Sequence, residues 1–176
     1  LSPNRPPYGD IEERLSKTFV GAYVKEPLKG IHDNVVVCDY RSLYPSIIIG
    51  HNVDPATLNC ECCGEKNKAP TGDHFCKKKE GFIPSVLSEI LGQRIAVKKK
   101  MKGLSRNTLE YRILDSEQFS LKLILNSHYG YLGYFGARWY CLPCAKAITA
   151  WGRHYIQQTI SLAEAEGFKV IYGDTD

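Results

Sequence analysis

The sequence predicts an α+β protein in which a helical hairpin interrupts a sheet. Two strand-like stretches lie far apart in the chain, VVVC at residues 35–38 and VIY at residues 170–172. Between them, apolar residues recur at steps of three and four over residues 84–102 and 107–126, which is typical of amphipathic helices. The chain order of sheet, helical hairpin and sheet therefore predicts one domain with an insertion.

The composition is that of a globular protein of ordinary size. The chain has 176 residues, of which 43% are hydrophobic and 24% charged, with a net charge of +4. This mildly basic balance does not identify a nucleic-acid binder, although Lys98, Lys99, Lys100 and Lys102 form a local positive cluster. We find neither a long apolar run nor a secretory leader. These features predict an intracellular protein without a membrane partner, cytoplasmic in a prokaryote and nuclear in a eukaryote.

The first strand-like stretch leads into a carboxylate. Residues 35–38 predict a buried strand, because a covered strand loses the alternation of polar and apolar positions. Asp39 follows, and a desolvated carboxylate needs a cationic partner or a metal ion. Pro45 predicts extended or turn geometry at Tyr44 and leaves backbone N–H groups free for an anion. A lone Asp at this point is also typical of a helix cap or a turn.

The second strand-like stretch ends in two more carboxylates. Asp174 and Asp176 would project to the same side of an extended segment, because side chains alternate with a period of two. If the two strands are neighbours, these residues converge with Asp39. Three carboxylates at one point favour Mg²⁺ or Mn²⁺, which prefer oxygen ligands. A solvated turn is the alternative for Asp174 and Asp176.

The helices carry polar residues at regular spacing. Pro84 suits a first helical turn and Gly103 a helix end, so residues 84–102 and 107–126 predict an antiparallel hairpin. Arg94 and Lys98 are four residues apart, as are Lys122 and Asn126, so each pair shares one helical face. Such a face is usually just solvated, but it also suits a polyanion. The other elements predicted are a helix at 10–17 capped by Asp10, a strand at 19–24, and a helix from Pro143 or Ala145 to Ala165.

Three motifs in order carry a resemblance to a known family. They are D-x-x-S-L-Y-P-S from Asp39, K-x-x-x-N-S-x-Y-G from Lys122, and Y-G-D-T-D from Tyr172. The sequence resembles family B DNA polymerases, most closely the archaeal type. The resemblance implies a polymerase palm, an antiparallel sheet with packed helices, interrupted by a two-helix fingers insertion. The implied divisions are a linker from the N-terminal and exonuclease region (1–33), the first part of the palm (34–81), the fingers (82–133) and the second, truncated part of the palm (134–176).

The resemblance also implies an activity and a site. The expected reaction is template-directed addition of deoxynucleotides to a primer 3′-hydroxyl in DNA replication or repair, with two Mg²⁺ or Mn²⁺ as cofactors. Asp39, Asp174 and Asp176 match the catalytic metal ligands. The positions that match nucleotide-binding sites are Leu43, Tyr44, Arg94, Lys98, Lys122 and Asn126. Tyr44 would also select the sugar, Tyr129 and Gly130 would contact the nascent base pair, and Gly21 and Ala22 would contact the template.

The implied partners follow from the same resemblance. They are primer–template DNA, dNTPs, and the N-terminal, exonuclease and thumb domains of a longer polymerase, with a sliding clamp reached through those domains. We expect this segment alone to be inactive. Phe19 departs from the family pattern, which has Tyr before the Gly21–Ala22 pair. The alternative is a DNA-binding domain that has lost catalysis. The presence of all three carboxylates argues against it.

The cysteines leave two alternatives open. The chain has seven, and Cys60, Cys62, Cys63 and Cys76 gather near His74. Zinc ligation by Cys62 or Cys63 together with His74 and Cys76 is the first interpretation, but the four-ligand spacing of a zinc ribbon is not cleanly met. The resemblance implies disulfides between Cys63 and Cys76 and between Cys141 and Cys144, as in hyperthermophilic members. Disulfides or free thiols are therefore favoured, while Cys60 and Cys62, which depart from the family pattern, keep zinc open.

Overall fold

The computed structural model describes residues 6–174. Within that range it contains five helices and one antiparallel pair of short strands. In chain order, the elements are α1 (Tyr8–Leu15), β1 (Val24–Lys25), α2 (Leu43–His51), α3 (Phe82–Met101), α4 (Leu109–Gly133), α5 (Leu142–Ala165) and β2 (Gly173–Asp174). The α+β class is confirmed at this level.

The short sheet pairs the segment after α1 with the end of the described chain. Val24 of β1 pairs with Asp174 of β2, and the backbone N–H of Leu28 donates to Ile171 O over 2.9 Å. Lys25 Nζ lies 3.0 Å from Glu164 Oε1, which ties β1 to the end of α5. The predicted strand at 170–172 therefore lies a few residues too early, and only the end of the predicted strand at 19–24 is paired.

The buried strand predicted at residues 35–38 is wrong for this structure. The segment belongs to no strand, and the side chains of Val36 and Val37 are 77% and 87% exposed. β-Branched residues favour an extended backbone, but a strand also needs a neighbouring backbone to pair with. In the described part of the chain, the only paired strands are β1 and β2.

Helix α2 lies at the centre of the packing. Leu43, Ile47 and Ile48 are buried, and α2 contacts α3, α4 and α5. Tyr44 is helical rather than extended, because Pro45 is the third residue of the helix, where its missing N–H is not needed. Asn52 ends α2 in the left-handed region, with φ 55° and ψ 46°, a conformation that Asn tolerates better than most residues.

The helical hairpin and α5 agree with the prediction. α3 and α4 pack together, and Gly103 has the positive φ of +107° that the turn after α3 requires. Thr108 caps α4, since its Oγ1 accepts a hydrogen bond from Tyr111 N over 3.2 Å. α4 continues seven residues past the predicted end at Asn126 and so carries Tyr129 and Gly130. Gly167, with φ +87°, follows α5.

The start of the described chain is helical sooner than predicted. α1 begins at Tyr8 with Pro7 as its N-cap residue, so Asp10 lies inside the first turn instead of capping it. Arg14 Nη1 donates to Phe135 O over 3.1 Å and to Ala137 O over 3.2 Å, which ties α1 to the turn after α4. Over residues 6–174, no helix combines the length and apolarity needed to cross a membrane.

Candidate active site

The N-terminus of α2 has no side-chain cap. Ser42 precedes it in the left-handed region, with φ 50° and ψ 55°, and its side chain does not cap the helix. The first N–H groups of a helix have no acceptor within the helix. Those of Leu43 and Tyr44, together with the positive end of the helix dipole, therefore favour a negatively charged ligand here.

Arg94 of α3 brings a buried cation to the same place. Its residue is only 8% exposed, and Nη1 donates to Ser42 Oγ over 3.1 Å. Nη2 donates to Gln118 Oε1 of α4 over 3.4 Å, while Nε is buried without a hydrogen-bond partner. None of the ion pairs among the described residues includes Arg94. A buried guanidinium with neutral partners only is costly, so this position favours an anionic ligand.

The remaining polar residues of the predicted nucleotide site lie further along α3 and α4. Lys98 lies one helical turn after Arg94 on α3. Lys122 and Asn126 lie four and eight residues after Gln118 on α4, and so share the stripe that meets Arg94. All three side chains are exposed. The structure thus brings Leu43, Tyr44 and Arg94 together around Ser42. Lys98, Lys122 and Asn126 lie further along α3 and α4, exposed to solvent.

Two tyrosines meet where α2 crosses α4. The rings of Tyr44 and Tyr129 have centroids 4.7 Å apart and are inclined by 41°. Tyr129 is half-buried, and burial, with a smaller contribution from Tyr44, raises the pKa of its hydroxyl. Gly152 of α5 leaves room for Tyr44, since a Cβ atom there would lie 3.0 Å from Tyr44 Cε1. Gly130 is exposed and nothing lies within 4 Å of a Cβ built on it.

The three predicted metal ligands are only partly described. Asp39 is exposed in the loop before α2, and Asp174 lies in β2 and accepts a hydrogen bond from Tyr172 Oη over 3.0 Å. Asp176 lies outside the described residues. The loop of Asp39 is held to α5, because Tyr40 Oη and Thr159 Oγ1 are 2.5 Å apart. The carboxylate oxygens suit Mg²⁺, but the convergence of all three stays a prediction.

The predicted template-binding segment, Gly21 and Ala22, packs against α5. Arg153 Nη1 donates to Val20 O over 2.8 Å and to Gly21 O over 2.6 Å. Thr149 Oγ1 donates to Val20 O over 3.2 Å. Ala22 is exposed beside them. These bonds fix the backbone of the segment, while its contact with a template stays a prediction.

Sequence reasoning missed three residues that shape this site. Ser42 and Gln118 hold the guanidinium of Arg94, and Gly152 accommodates the ring of Tyr44. The role of Gln118 could have been predicted from the sequence, because it lies one turn before Lys122 on the same helical stripe. Gly152 could also have been predicted, since glycine inside a helix lowers its stability by about 1 kcal/mol relative to Ala and often marks a close approach of another group. For Ser42, the sequence has no signal beyond its position in the motif.

The cysteines form two separate groups. The Sγ atoms of Cys60, Cys62, Cys63 and Cys76 all lie within 4.8 Å of one another, and those of Cys141 and Cys144 are 2.9 Å apart. Hydrogen bonds from the backbone N–H groups of Lys79 and Lys78 lower the pKa of Cys76 to about 6. All seven cysteines are free thiols in the structure, and the two implied disulfides stay predictions.

Comparison with known proteins places the chain in a family. The family model of DNA polymerase family B matches residues 6–176. The chain belongs to this family. It is 51% identical over 177 residues to DNA polymerase 1 of Pyrococcus abyssi and 43% identical over 177 residues to the DNA polymerase of Archaeoglobus fulgidus. Both matches cover 100% of this chain, so the resemblance to archaeal members is confirmed.

A solved structure is similar as well. The family B DNA polymerase from the hyperthermophilic archaeon Pyrobaculum calidifontis matches 99% of this chain with a TM-score of 0.77 and 37% identity. The chain spans only 23% of that polymerase and 23% of the Pyrococcus abyssi relative. The family therefore extends over nearly the whole chain, while the chain corresponds to about a quarter of its relatives.

Proposed function

We propose that this chain is the catalytic-core segment of a template-directed DNA polymerase, which adds deoxynucleotides to a primer 3′-hydroxyl in DNA replication or repair. The proposal rests mainly on Arg94, a buried cation beside the uncapped N-terminus of α2, which has only neutral partners among the described residues. A nucleoside triphosphate supplies the negative charge that this arrangement favours. Membership of the polymerase family supports the same reading.

The triphosphate would lie between α2 and the α3–α4 hairpin. The N–H groups of Leu43 and Tyr44 and the guanidinium of Arg94 would bind it from the buried side, while Lys98 and Lys122 would neutralise it from the exposed side. Asn126, on the stripe of Lys122, would orient it. Phosphoryl transfer needs little covalent chemistry from the protein, so alignment and charge neutralisation are the main contributions of these residues.

The carboxylates would complete the site. Asp39, Asp174 and Asp176 would hold two Mg²⁺ or Mn²⁺, in keeping with the preference of these ions for oxygen ligands. The chemistry supplied by such ions is activation of the primer 3′-hydroxyl and stabilisation of the leaving pyrophosphate. The contact between Tyr40 and Thr159 supports this role, because it fixes the loop of Asp39 relative to α5.

Tyr44 would select the sugar, and Tyr129 would contact the nascent base pair. Tyr44 is packed between Tyr129 and Gly152, so its ring cannot move aside easily for a 2′-hydroxyl. Tyr129 would lie beside the nascent base pair, and Gly130 would leave room for the base. Gly21 and Ala22, on a backbone fixed by Arg153, would contact the template strand.

The proposed organisation follows that of a polymerase. Residues 34–81 and 134–176 would belong to the palm, residues 82–133 to the fingers, and residues 1–33 to the linker from the preceding domains. The partners would be primer–template DNA, dNTPs, and the N-terminal, exonuclease and thumb domains, with a sliding clamp bound through those domains. The 176-residue chain by itself would be inactive, because it corresponds to only 23% of the length of the Pyrococcus abyssi relative.

A chimera tests this function. The segment of Pyrococcus abyssi DNA polymerase 1 that matches this chain would be replaced by it, and primer extension and duplex binding would be measured. The expected result is dNTP-dependent extension that follows the template. A chimera that folds and binds duplex but does not extend the primer would overturn the proposal in favour of a DNA-binding segment without catalysis.

A further inference from the structure

Four thiols meet in the loop between α2 and α3. Cys62 Sγ lies 3.5 Å from Cys63 Sγ and 3.5 Å from Cys76 Sγ, and Cys63 Sγ lies 3.6 Å from Cys76 Sγ. Cys60 completes the group, in which all four sulfur atoms lie within 4.8 Å of one another. The proposed polymerase chemistry uses none of these residues.

The sulfur atoms of Cys62, Cys63 and Cys76 are spaced like one face of a tetrahedral metal site. With Zn–S bonds of about 2.3 Å, the sulfur atoms of a zinc tetrathiolate lie about 3.8 Å apart. The three measured separations, 3.5, 3.5 and 3.6 Å, are close to this value. A disulfide joins only two sulfur atoms, at about 2.05 Å. A single disulfide between Cys63 and Cys76 would therefore leave Cys60 and Cys62 beside it without a role.

Backbone N–H groups surround two of the sulfur atoms. Lys77 N donates to Cys63 Sγ, and Lys78 N and Lys79 N donate to Cys76 Sγ, each over 3.4 Å. Such bonds stabilise thiolates and orient the ligands of a metal. The side chains of these three lysines are exposed around the loop. Four thiolates with one Zn²⁺ carry a net charge of −2, which this lysine cluster complements.

We propose that Cys60, Cys62, Cys63 and Cys76 bind one Zn²⁺ in a closed, structural site. Four protein thiolates fill the tetrahedral coordination of zinc and leave no position for substrate, so the ion would be structural rather than catalytic. Binding forms four Zn–S bonds and releases up to four thiol protons to solvent, without oxidation or reduction. Soft thiolate ligands also select zinc over the Mg²⁺ of the proposed catalytic site.

The zinc site would stabilise the junction of α2 and α3. Cys76 N donates to Thr57 O over 2.9 Å, and Cys76 O accepts from Asn52 Nδ2 over 2.6 Å. Asn52 Oδ1 in turn accepts from Gly81 N over 2.8 Å, directly before α3. Phe75, beside Cys76, is fully buried and lies against Trp151. The ion would thus fix the corner from which the hairpin carrying Arg94 begins.

The test measures metal in the purified 176-residue chain. We expect one zinc per chain by elemental analysis, and after exchange with cobalt the charge-transfer absorption of a tetrahedral thiolate site. Cys60→Ser should lower zinc affinity by at least roughly 100-fold, which exceeds the usual cost of losing an outer-shell partner. Cys60→His, which keeps a zinc ligand, should retain much of the affinity. Cys38→Ser and Cys141→Ser are matched controls that should bind zinc normally.

Two results would overturn the proposal. One is a Cys63–Cys76 disulfide, detected by peptide mass under non-reducing conditions, in a chain that contains no zinc. The other is zinc binding that Cys60→Ser leaves unchanged and Cys141→Ser abolishes. The cobalt spectrum of the unsubstituted chain does not depend on how any variant folds. Neither measurement requires polymerase activity, so failure of this inference is distinguishable from failure of the proposed function.

Discussion

Arg94 Nη1 donates to Ser42 Oγ over 3.1 Å, although the two residues are 52 positions apart in the sequence. This contact places a cation of α3 against the N-terminus of α2, where the helix dipole already favours negative charge. The same guanidinium reaches Gln118 of α4. Three helices therefore meet at one guanidinium, and movement of the hairpin relative to α2 would alter the affinity of this point for a phosphate.

Substitution of Arg94 tests its role in binding the triphosphate. In the chimera, Arg94→Ala should lower kcat/KM for dNTP by about 10- to 100-fold, because a hydrogen bond to a charged group contributes about 1.5–3 kcal/mol. Arg94→Lys should have a kcat/KM between those of the unsubstituted chimera and Arg94→Ala, since Lys keeps the charge but loses the planar fork. Single-turnover kinetics measure both. Lys99→Ala, an exposed lysine on the same helix, is the control and should change little.

Tyr44 is predicted to exclude ribonucleotides. In the chimera, Tyr44→Ala should raise the ratio of kcat/KM for rNTP over dNTP, because removing the ring opens space for the 2′-hydroxyl. General damage to the site lowers both rates, so the ratio isolates sugar selection. Tyr129→Phe keeps the neighbouring ring and should leave the ratio unchanged. An unaltered ratio in Tyr44→Ala would contradict the assignment.

The carboxylates are predicted to act in catalysis and not in DNA affinity. Asp39→Ala or Asp176→Ala in the chimera should remove primer extension while duplex binding persists, since contacts to the phosphate backbone dominate affinity. Extension assays with Mg²⁺ and a duplex-binding titration measure the two effects. Asp33→Ala, another exposed carboxylate in the segment before α2, is the control. Substantial residual extension in Asp39→Ala would mean that the metal assignment is wrong.

The helices were predictable because their signals are local. The apolar spacing of α3 and α5, Pro84 in a first turn, and the glycines at 103 and 167 each act within one or two turns. The paired strands were not, because pairing depends on a distant partner. The valines at 35–37 favour an extended backbone in either case, and only the structure shows that they remain exposed.

The site was predictable in its residue types but not in its arrangement. The four-residue spacing placed Arg94 and Lys98 on one face, yet nothing in the sequence indicated that Arg94 is buried while Lys98 is exposed. That difference comes from the packing of α3 against α2 and α4. The sequence placed Cys60, Cys62, Cys63, His74 and Cys76 in one loop, but it could not show which side chains converge: the four thiols do, whereas His74 Nε2 lies 2.9 Å from Cys60 O.

A half-buried histidine makes stability depend on pH. His51, the last residue of α2, stacks on Trp151 with ring centroids 3.8 Å apart. Its Nδ1 lies 3.0 Å from Asn67 Oδ1 and its Nε2 lies 2.7 Å from Tyr155 Oη. Asn67 Nδ2 donates to His51 O and Phe75 O, so the amide oxygen faces the ring. The neutral ring therefore donates from Nδ1 and accepts at Nε2.

Burial lowers the pKa of His51 below its ordinary value of 6.5, against the hydrogen bond to Asn67 and with smaller contributions from Lys77 and His154. The unfolded state then binds the proton more tightly than the folded state. The free energy of unfolding should be highest above the unfolded pKa and fall as pH drops toward the lowered folded value, by up to about 1.4 kcal/mol per pH unit.

Urea unfolding of the chain from about pH 8 to about pH 5.5 measures this dependence. His51→Gln, which does not titrate, should flatten the decline relative to the unsubstituted chain. His154→Gln, an exposed histidine one residue before Tyr155, should keep it. Because the comparison is between variants, other acid-sensitive groups, the thiols among them, contribute equally to each curve and cancel. Equal slopes for His51→Gln and the unsubstituted chain would show that His51 is not the titrating group.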